Sequence, residues 1–413
     1  MVQLKKNIKL VVSIGICALT LLLWICACSC SNQYVDKDGN NKAQPIEISL
    51  LKKSSIKTIV PSERNTFFVM NNGSLLAVGD NSAGLLGQND YEEYDYPVEV
   101  QLPERIKLVA ASGDFAVAVS ESNNLYFWGS FPDWAPKPQA DEDGNVPFYA
   151  MVSSSSIISQ ICLSNNHCAY LVKEGDVYTL GLNIGQLGYE NSQEHYDQVY
   201  SAFRVIATAD TISYIAVSDT ATYMINSLGQ IYGASRNDNY ELCLQEAAAD
   251  YALISQEYQF VTATTAGSNL FALTSSGDVY VCGSNANGVL GVNSSAESIS
   301  QLTRINFDTA DISDVQGSKA GTVHFLTTDM DVYACGNNED GRLYTRDRNE
   351  MVLSPSQVRI GKATRLYCGG TAIYYLDNNR QLYAYGENTY GQMPNVDSQR
   401  EFVAPERIYA SVK

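Results

Sequence analysis

Short apolar runs alternate with glycine- and asparagine-marked turns along most of this chain, and the alternation is periodic. A five-residue run closing on a glycine slot returns seven times, about 50 residues apart, the spacing of propeller or array repeats. The runs are 75–79, 125–129, 177–181, 231–235, 279–283, 332–336 and 382–386; Ser235 fills the slot in the fourth. Ten residues before each slot stands another apolar residue: Val69, Val119, Leu171, Ile225, Leu273, Leu326 and Leu376. A turn such as Asn72-Gly73 or Ser276-Gly277 lies between them. Two apolar runs joined by a Gly/Asn turn predict a β-hairpin. The hairpin length never changes, as a buried register demands, since a slip of one residue would turn every core side chain outward.

Two residues past the slot, six units carry asparagine: Asn81, Asn183, Asn237, Asn285, Asn338 and Asn388. Asparagine bonds its own backbone and tolerates positive φ, so a tight turn is expected there. Gly-x-Leu-Gly or a decayed form follows, as in Gly84-Leu85-Leu86-Gly87 or Gly341-Arg342-Leu343-Tyr344, and then a further strand such as Pro97-Val98-Glu99-Val100. Four short strands per unit, with almost no helical periodicity, predict an all-β ring of seven four-stranded antiparallel blades. Strand-entry elements number eight, one near Pro45-Ile46 and one near Ile408, against seven hairpins. The surplus predicts that the chain ends overlap in one blade and close the ring, removing a sheet edge.

The motif, of the form Ala-Leu-x-x-x-Gly-x-Val-Tyr-x-x-Gly-x-Asn-x-x-Gly-Gln-Leu-Gly, resembles the RCC1 repeat (regulator of chromosome condensation type) over roughly residues 46–410. His167, three residues after Ser164, falls where that repeat often carries histidine. The resemblance implies a seven-bladed β-propeller. Within the family the chain looks most similar to secreted bacterial members, one group of which inhibits β-lactamases through an aromatic-rich propeller face. No contact residue maps by motif, so that activity does not carry over.

The first 28 residues differ from the rest. Lys5, Lys6 and Lys9 precede an apolar stretch from Leu10 to Cys28, the layout of an export signal. The stretch also approaches the length of a membrane span. Its end, Ile25-Cys26-Ala27-Cys28, resembles a bacterial lipoprotein box with Cys28 as the lipidated residue; Cys30 is a second candidate. A lipoprotein, an uncleaved anchor and an ordinary cleaved signal all place the propeller outside the cytoplasm. The expected organisation is therefore a signal or anchor over 1–28, a flexible tether over 29–45 and a propeller over 46–413. The expected location is the outer face of a bacterial cytoplasmic membrane, with the propeller monomeric.

The chain carries 27 basic and 45 acidic residues, net −18, which repels phosphate backbones and argues against nucleic-acid binding. A chromatin role therefore fits poorly, and so does nucleotide exchange on a small GTPase, which requires a cytosolic or nuclear protein; acidic runs such as Glu92-Glu93 and Asp141-Glu142-Asp143 read either as solvated loops or as contacts for a basic protein partner. Of ten cysteines, Cys17, Cys26, Cys28 and Cys30 belong to the signal region. Cys282 and Cys335 share one strand position in neighbouring units and read as small buried apolar residues. Cys162 and Cys168, six apart across a strand and turn, could form a disulfide after export.

Only three histidines occur, His167, His195 and His324, in separate repeats, with no zinc spacing, nucleophile elbow or phosphate loop. No metal, cofactor or catalytic residue is expected, and the chain reads as non-catalytic. What stands out is tyrosine, with 27 residues. Those beside the glycine slot, such as Tyr126 and Tyr280, read as packing. Others lie between the units, where the repeat needs no aromatic: Tyr91, Tyr94, Tyr96, Tyr189, Tyr196, Tyr200, Tyr240, Tyr344 and Tyr390. Tyrosine on loops gives large contact area at low entropic cost. The second unit departs most, with Phe131 for asparagine and Trp134 for glycine, and its loop reads as part of a binding face. The expected function is a tethered, protein-binding propeller with Phe131, Trp134, Tyr91, Tyr94, Tyr96, Tyr240, Tyr344 and Tyr390 as candidate contacts. A carbohydrate or cell-wall binder is the alternative, and a propeller hydrolase a third.

Overall fold

Every hairpin that the repeat predicts is present, because its apolar positions bury on both faces of a blade. In blade 1, Asn65–Met70 and Leu75–Gly79 are buried along their whole length and pair in register from Val69↔Leu75 to Asn65↔Gly79. Ile56–Pro61 and Tyr94–Glu99 complete that sheet. Six further four-stranded antiparallel meanders follow, over 106–152, 158–205, 212–255, 260–304, 312–357 and 363–408. The fold is a seven-bladed β-propeller. This computed structural model describes residues 34–35, 41–42 and 55–408, the last with breaks at 93, 142–143, 189–202, 206–209, 247, 308–310, 395 and 397–401. The chain divides into two compact units, Met1–Glu47 and Ile48–Lys413. In the first, Tyr34–Val35 pairs antiparallel with Asn41–Lys42 inside the segment read as a tether. The export signal and Cys28 lie outside the described residues.

The first strand of each blade is innermost, and all seven line a central cavity of about 700 Å³. The meander then sorts the connections onto two faces. Turns between the first and second strands, and the long loops between the third and fourth, share one face, here the loop face. Hairpin turns and the links between blades share the other, here the turn face.

Ring closure differs from the expectation. Each blade consists of four consecutive strands, and blade 7 is completed by its own Phe402–Ile408 rather than by a strand from the other chain end. The extra entry element near Pro45 lies outside the described residues. Closure is by packing: Ile56, Ile59, Phe68 and Val78 of blade 1 share one apolar cluster with Tyr367, Tyr374 and Met393 of blade 7. Phe68 and Tyr374 meet edge to face at 6.0 Å.

In blade 3 the repeated asparagine acts as the expected turn residue, Asn183 Oδ1 accepting from the Gly185 N–H at 3.1 Å, but in five other blades it works differently. In blade 1, Asn81 Oδ1 accepts from the Leu86 N–H at 3.0 Å, and its Nδ2 donates to the carbonyl of Glu92 at 2.8 Å. Asn237, Asn285 and Asn338 make the same pair of bonds, to Leu242 and Leu244, Leu290 and Ser294, and Leu343 and Asn349. Asn388 Oδ1 accepts from Met393 N–H at 2.8 Å. One buried carboxamide thus ties the start of a long loop to its middle and end, and only Asn237 of these five adopts positive φ. Glycine is required just before it: Gly79 has φ +120°, and a Cβ there would stand 2.2 Å from the Arg64 carbonyl oxygen. Ser235 avoids positive φ, and its Oγ accepts from the Asn237 N–H at 2.9 Å.

The pinned loops seat on the neighbouring blade, at the fourth residue of its third strand. Trp128 Nε1–H donates to the Leu85 carbonyl at 2.9 Å, and the Cys335 thiol to that of Val289 at 3.4 Å. Cys282, at the same position in blade 5, forms a disulfide with Cys243 of the blade 4 loop. This corrects the reading of Cys282 as a free apolar residue; Cys335 is free and buried. Cys162 and Cys168 are likewise free, their strand register placing Leu163 opposite Cys168 and Ala169 opposite Cys162.

His167 is a second staple between blades. It is fully buried, its Nδ1 2.9 Å from Ser164 Oγ and its Nε2 2.7 Å from Thr222 Oγ1 of blade 4. Burial lowers its pKa to about 3. Unfolded, the ring takes a proton below about pH 6.5. Stability that depends on the neutral ring is therefore complete above that pH and is lost as pH falls toward 3. In His167→Gln, denaturation across this window should show a pH slope shallower by about one proton; a slope equal to that of the parent would contradict the assignment.

Candidate functional site

The sequence-derived candidates separate into packed and exposed sets. Trp134 is 6% exposed; its Nε1–H donates to the Asn165 carbonyl of blade 3 at 2.9 Å, and its ring meets Phe115 edge-on at 5.7 Å. Phe131 is half-buried against the same Phe115 ring at 5.5 Å. The blade 2 loop lost its asparagine and replaced it with aromatic packing, with Lys137 Nζ donating to the carbonyls of Phe131 and Pro132. Trp134 thus belongs to the seam between blades 2 and 3, not to a free surface.

Tyr240 and Tyr344 occupy the two glycine slots of decayed Gly-x-Leu-Gly motifs, and both keep the glycine backbone, at φ +61° and +54°. Both are half-buried. Tyr344 packs 6.2 Å from Tyr385 of blade 7, with the Arg359 guanidinium 4.5 Å from its ring centre. Tyr94 and Tyr96 lie half-buried on the fourth strand of blade 1, edge to face at 5.8 Å. The Tyr94 hydroxyl donates to Asp90 Oδ2 at 2.7 Å; burial first, then that carboxylate, push its pKa well up. Tyr189, Tyr196 and Tyr200 lie outside the described residues.

Tyr91, 75% exposed, and Tyr390, 39% exposed, remain. They stand on the long loops of adjacent blades 1 and 7, on the loop face. Between these blades Arg64 is held on three sides: Asp80 Oδ2 at 3.2 Å, Asp114 Oδ1 of blade 2 at 3.4 Å, and the Tyr390 ring 5.0 Å from its guanidinium carbon. Arg64 is partly exposed, so these contacts orient it more than they stabilise the fold.

At the centre of the same face a second network crosses the ring. Lys319, from the first turn of blade 6, pairs with Asp219 of blade 4 at 3.1 Å and Glu63 of blade 1 at 3.6 Å, and also donates to Ser112 Oγ of blade 2. Asp219 accepts from the backbone N–H and the Nδ2 of Asn165 in blade 3, both at 2.9 Å. The Lys319 N–H reaches the Gly369 carbonyl of blade 7, and Gly267 of blade 5 donates to that of Ser318. All seven first turns are thus linked. Burial works to raise the Asp219 pKa, but Lys319 and the Asn165 bonds outweigh it and hold the group below its ordinary value. Sequence reasoning missed Lys319 and Arg64, because each sits at a turn position that the other units fill differently. The serine opening these turns, Ser62, Ser112, Ser164, Ser218 and Ser318, was the available signal.

Among the described residues, no group of three or more His, Cys, Asp or Glu side chains could hold a metal ion.

Residues 72–119 match the model of the "Regulator of chromosome condensation (RCC1) repeat". They run from the hairpin turn of blade 1 to the second strand of blade 2. Over 262 residues the chain is 26% identical to the ultraviolet-B receptor UVR8 of Arabidopsis thaliana, covering 61% of this chain and 58% of the receptor. Over 334 residues it is 23% identical to the regulator of chromosome condensation of Drosophila melanogaster, covering 78% of this chain and 52% of that protein. The matched region thus spans little more than half the length of these relatives. Among solved structures, human WBSCR16 superposes with a TM-score of 0.67 at 15% identity, covering 80% of this chain and 89% of that one. Prp20p from Saccharomyces cerevisiae superposes with 0.67 at 17% identity, covering 87% and 89%. At these identities the likeness concerns the fold: an RCC1-like seven-bladed propeller carrying at least one RCC1 repeat.

The packed and exposed sets should differ in denaturation experiments. Trp134→Ala should cost about 3–5 kcal/mol, as for other large-to-small core changes. Tyr91→Ala should stay within about 0.5 kcal/mol of the parent. Equal effects would contradict this division.

Proposed function

We propose that the propeller is a non-catalytic protein-binding module, displayed outside the cytoplasm, whose contact region is the loop face of blades 7, 1 and 2. The observation that carries the reading is the arrangement of Tyr390, Arg64 and Tyr91. Tyrosine and arginine are the residue types that concentrate binding energy at protein interfaces. Here Arg64 is oriented before any partner arrives, which lowers the entropic cost of association. Asp80, Asp114 and Glu63 surround it with negative charge, in keeping with the net −18 of the chain, and suit a basic partner surface.

Support for export comes from two directions. The leader with Lys5, Lys6 and Lys9 before an apolar run reads as a signal, with Cys28 the residue to be lipidated and inserted at the membrane. The Cys243–Cys282 disulfide suits an oxidising compartment. Prp20p, of the same fold, has been described together with its binding properties to Gsp1p and histones, so this architecture can carry protein binding. The carbohydrate reading is less well supported: Trp128 and Trp134, the tryptophans beyond the leader, are both buried, leaving no exposed indole to stack on a sugar.

Capture from a cell-envelope extract by the mature protein tests the proposal. Arg64→Ala and Tyr390→Ala should each weaken capture of the partner at least about tenfold, as loss of a hot-spot residue does. Trp134→Phe, which keeps the seam filled, should leave capture intact. Undiminished capture by the Arg64 and Tyr390 variants would refute the assignment of this face.

A further inference from the structure

The first strand of every blade carries a bulge at its second residue, where the register with the second strand shifts. Bulges re-aim side chains and recur beside functional sites. In four blades the bulged residue is serine or threonine, and its hydroxyl donates to a second-strand carbonyl. These are Ser159 to Leu171, Ser213 to Ile225, Ser313 to Leu326 and Thr364 to Leu376, at 3.0 to 3.3 Å. Three blades depart from this pattern and give up that bond: blade 5 with Val261, and blades 1 and 2 with Lys57 and Lys107.

Both lysines line the central cavity, at its turn-face end. Neither forms an ion pair with a carboxylate among the described residues. Lys57 Nζ donates to the Lys107 carbonyl at 3.3 Å, and Lys107 Nζ to Asn123 Oδ1. Arg365 of blade 7, one residue past the same bulge, lines the cavity beside them and donates to the Tyr367 hydroxyl at 3.4 Å. Blades 7, 1 and 2 are consecutive around the ring, so the three cations form one arc. Asp314 is the single carboxylate of the lining. At the opposite end Lys319 is neutralised by Glu63 and Asp219.

A chain with 45 acidic and 27 basic residues therefore gathers, at one mouth of its central cavity, three cations without carboxylate ion pairs among the described residues. We infer that this mouth is a binding site for a small anion, a carboxylate or phosphate, held by Lys57, Lys107 and Arg365. The cavity size falls in the range of small-molecule sites. Burial first, then the charge of Lys57, lower the Lys107 pKa, and an anion between the two lysines relieves that repulsion. Tyr214 of blade 4, across the cavity from the cationic arc, brings a hydroxyl to the lining, while the Gln160 amide is engaged on both sides by the Ile215 backbone. The site lies on the face opposite Arg64 and Tyr390, so its occupancy is separable from protein capture.

Calorimetric titration of the mature protein with citrate, with inorganic phosphate and with glycerol tests the inference. Saturable binding of citrate or phosphate that weakens as salt is raised is expected, with glycerol inert; which anion binds tells the two chemistries apart. The double variant Lys57→Ser with Lys107→Ser restores the repeat's own bulge residue. It should melt no lower than the parent yet bind the anion at least about tenfold more weakly. Absence of binding by both anions would overturn the inference, and so would binding that the double variant leaves unchanged. Protein capture should be unaltered in the double variant, so failure here leaves the loop-face proposal standing, and the reverse.

Discussion

The ring is held together where a buried asparagine fastens the long loop of one blade so that it can seat on the third strand of the next. A loop of some dozen residues would ordinarily lose too much conformational freedom to be a useful packing element. The carboxamide of Asn81, or of its counterparts Asn237, Asn285 and Asn338, removes that difficulty by accepting one backbone amide and donating to distant carbonyls. Because both ends of the amide are satisfied inside the loop, the buried carboxamide leaves neither its donor nor its acceptor unpaired. The loop then behaves as a fixed surface, and each blade finds the same kind of partner on its neighbour. Blade 7 meets blade 1 in this way too, through Met393 and Val78, so closure needs no exchange of strands between the chain ends.

Much of this was legible in the sequence, since hairpin length and glycine spacing are local consequences of register and sterics. Blade number and strand number followed directly. What the asparagine does was not legible, because its partners lie five to eleven residues away and a short polar residue after glycine reads equally well as a turn former. The overlap of chain ends was inferred from counting strand-entry elements, whereas the structure closes by side-chain packing, which counting cannot detect. The Cys243–Cys282 bond joins a loop to a strand at positions that are not equivalent in the repeat. Aligning repeats therefore paired Cys282 with Cys335 in reading and concealed its actual partner.

The candidate site was legible in part. Departure from the repeat reads as release from packing, and for Trp134 the opposite holds: an aromatic replaces the missing asparagine as the means of fastening the loop. Tyr240 and Tyr344 likewise took over glycine slots, keeping the backbone and adding contact. Tyr91 and Tyr390 decorate loops that are fastened by other residues, and these two are exposed. Arg64 and Lys319 could not be found by inspecting any single unit, since all partners of Lys319 and two of the three of Arg64 come from other blades. The two faces consequently differ in chemistry. The loop face carries carboxylates that hold two oriented cations, whereas the mouth on the turn face carries cations without carboxylate ion pairs among the described residues. A ring with one sign of net charge can in this way present two distinct electrostatic surfaces.

Amide hydrogen exchange on the protein tests the account most directly. The amides of Leu86, Leu242, Leu290, Leu343 and Met393 lie in loops but bond to buried asparagine side chains. They should exchange as slowly as the amides of the second strands and lose that protection only when the blade opens. Exchange at the rate of unprotected loop amides would show that the loops are not fastened, and the ring would have to be held together by some other interaction.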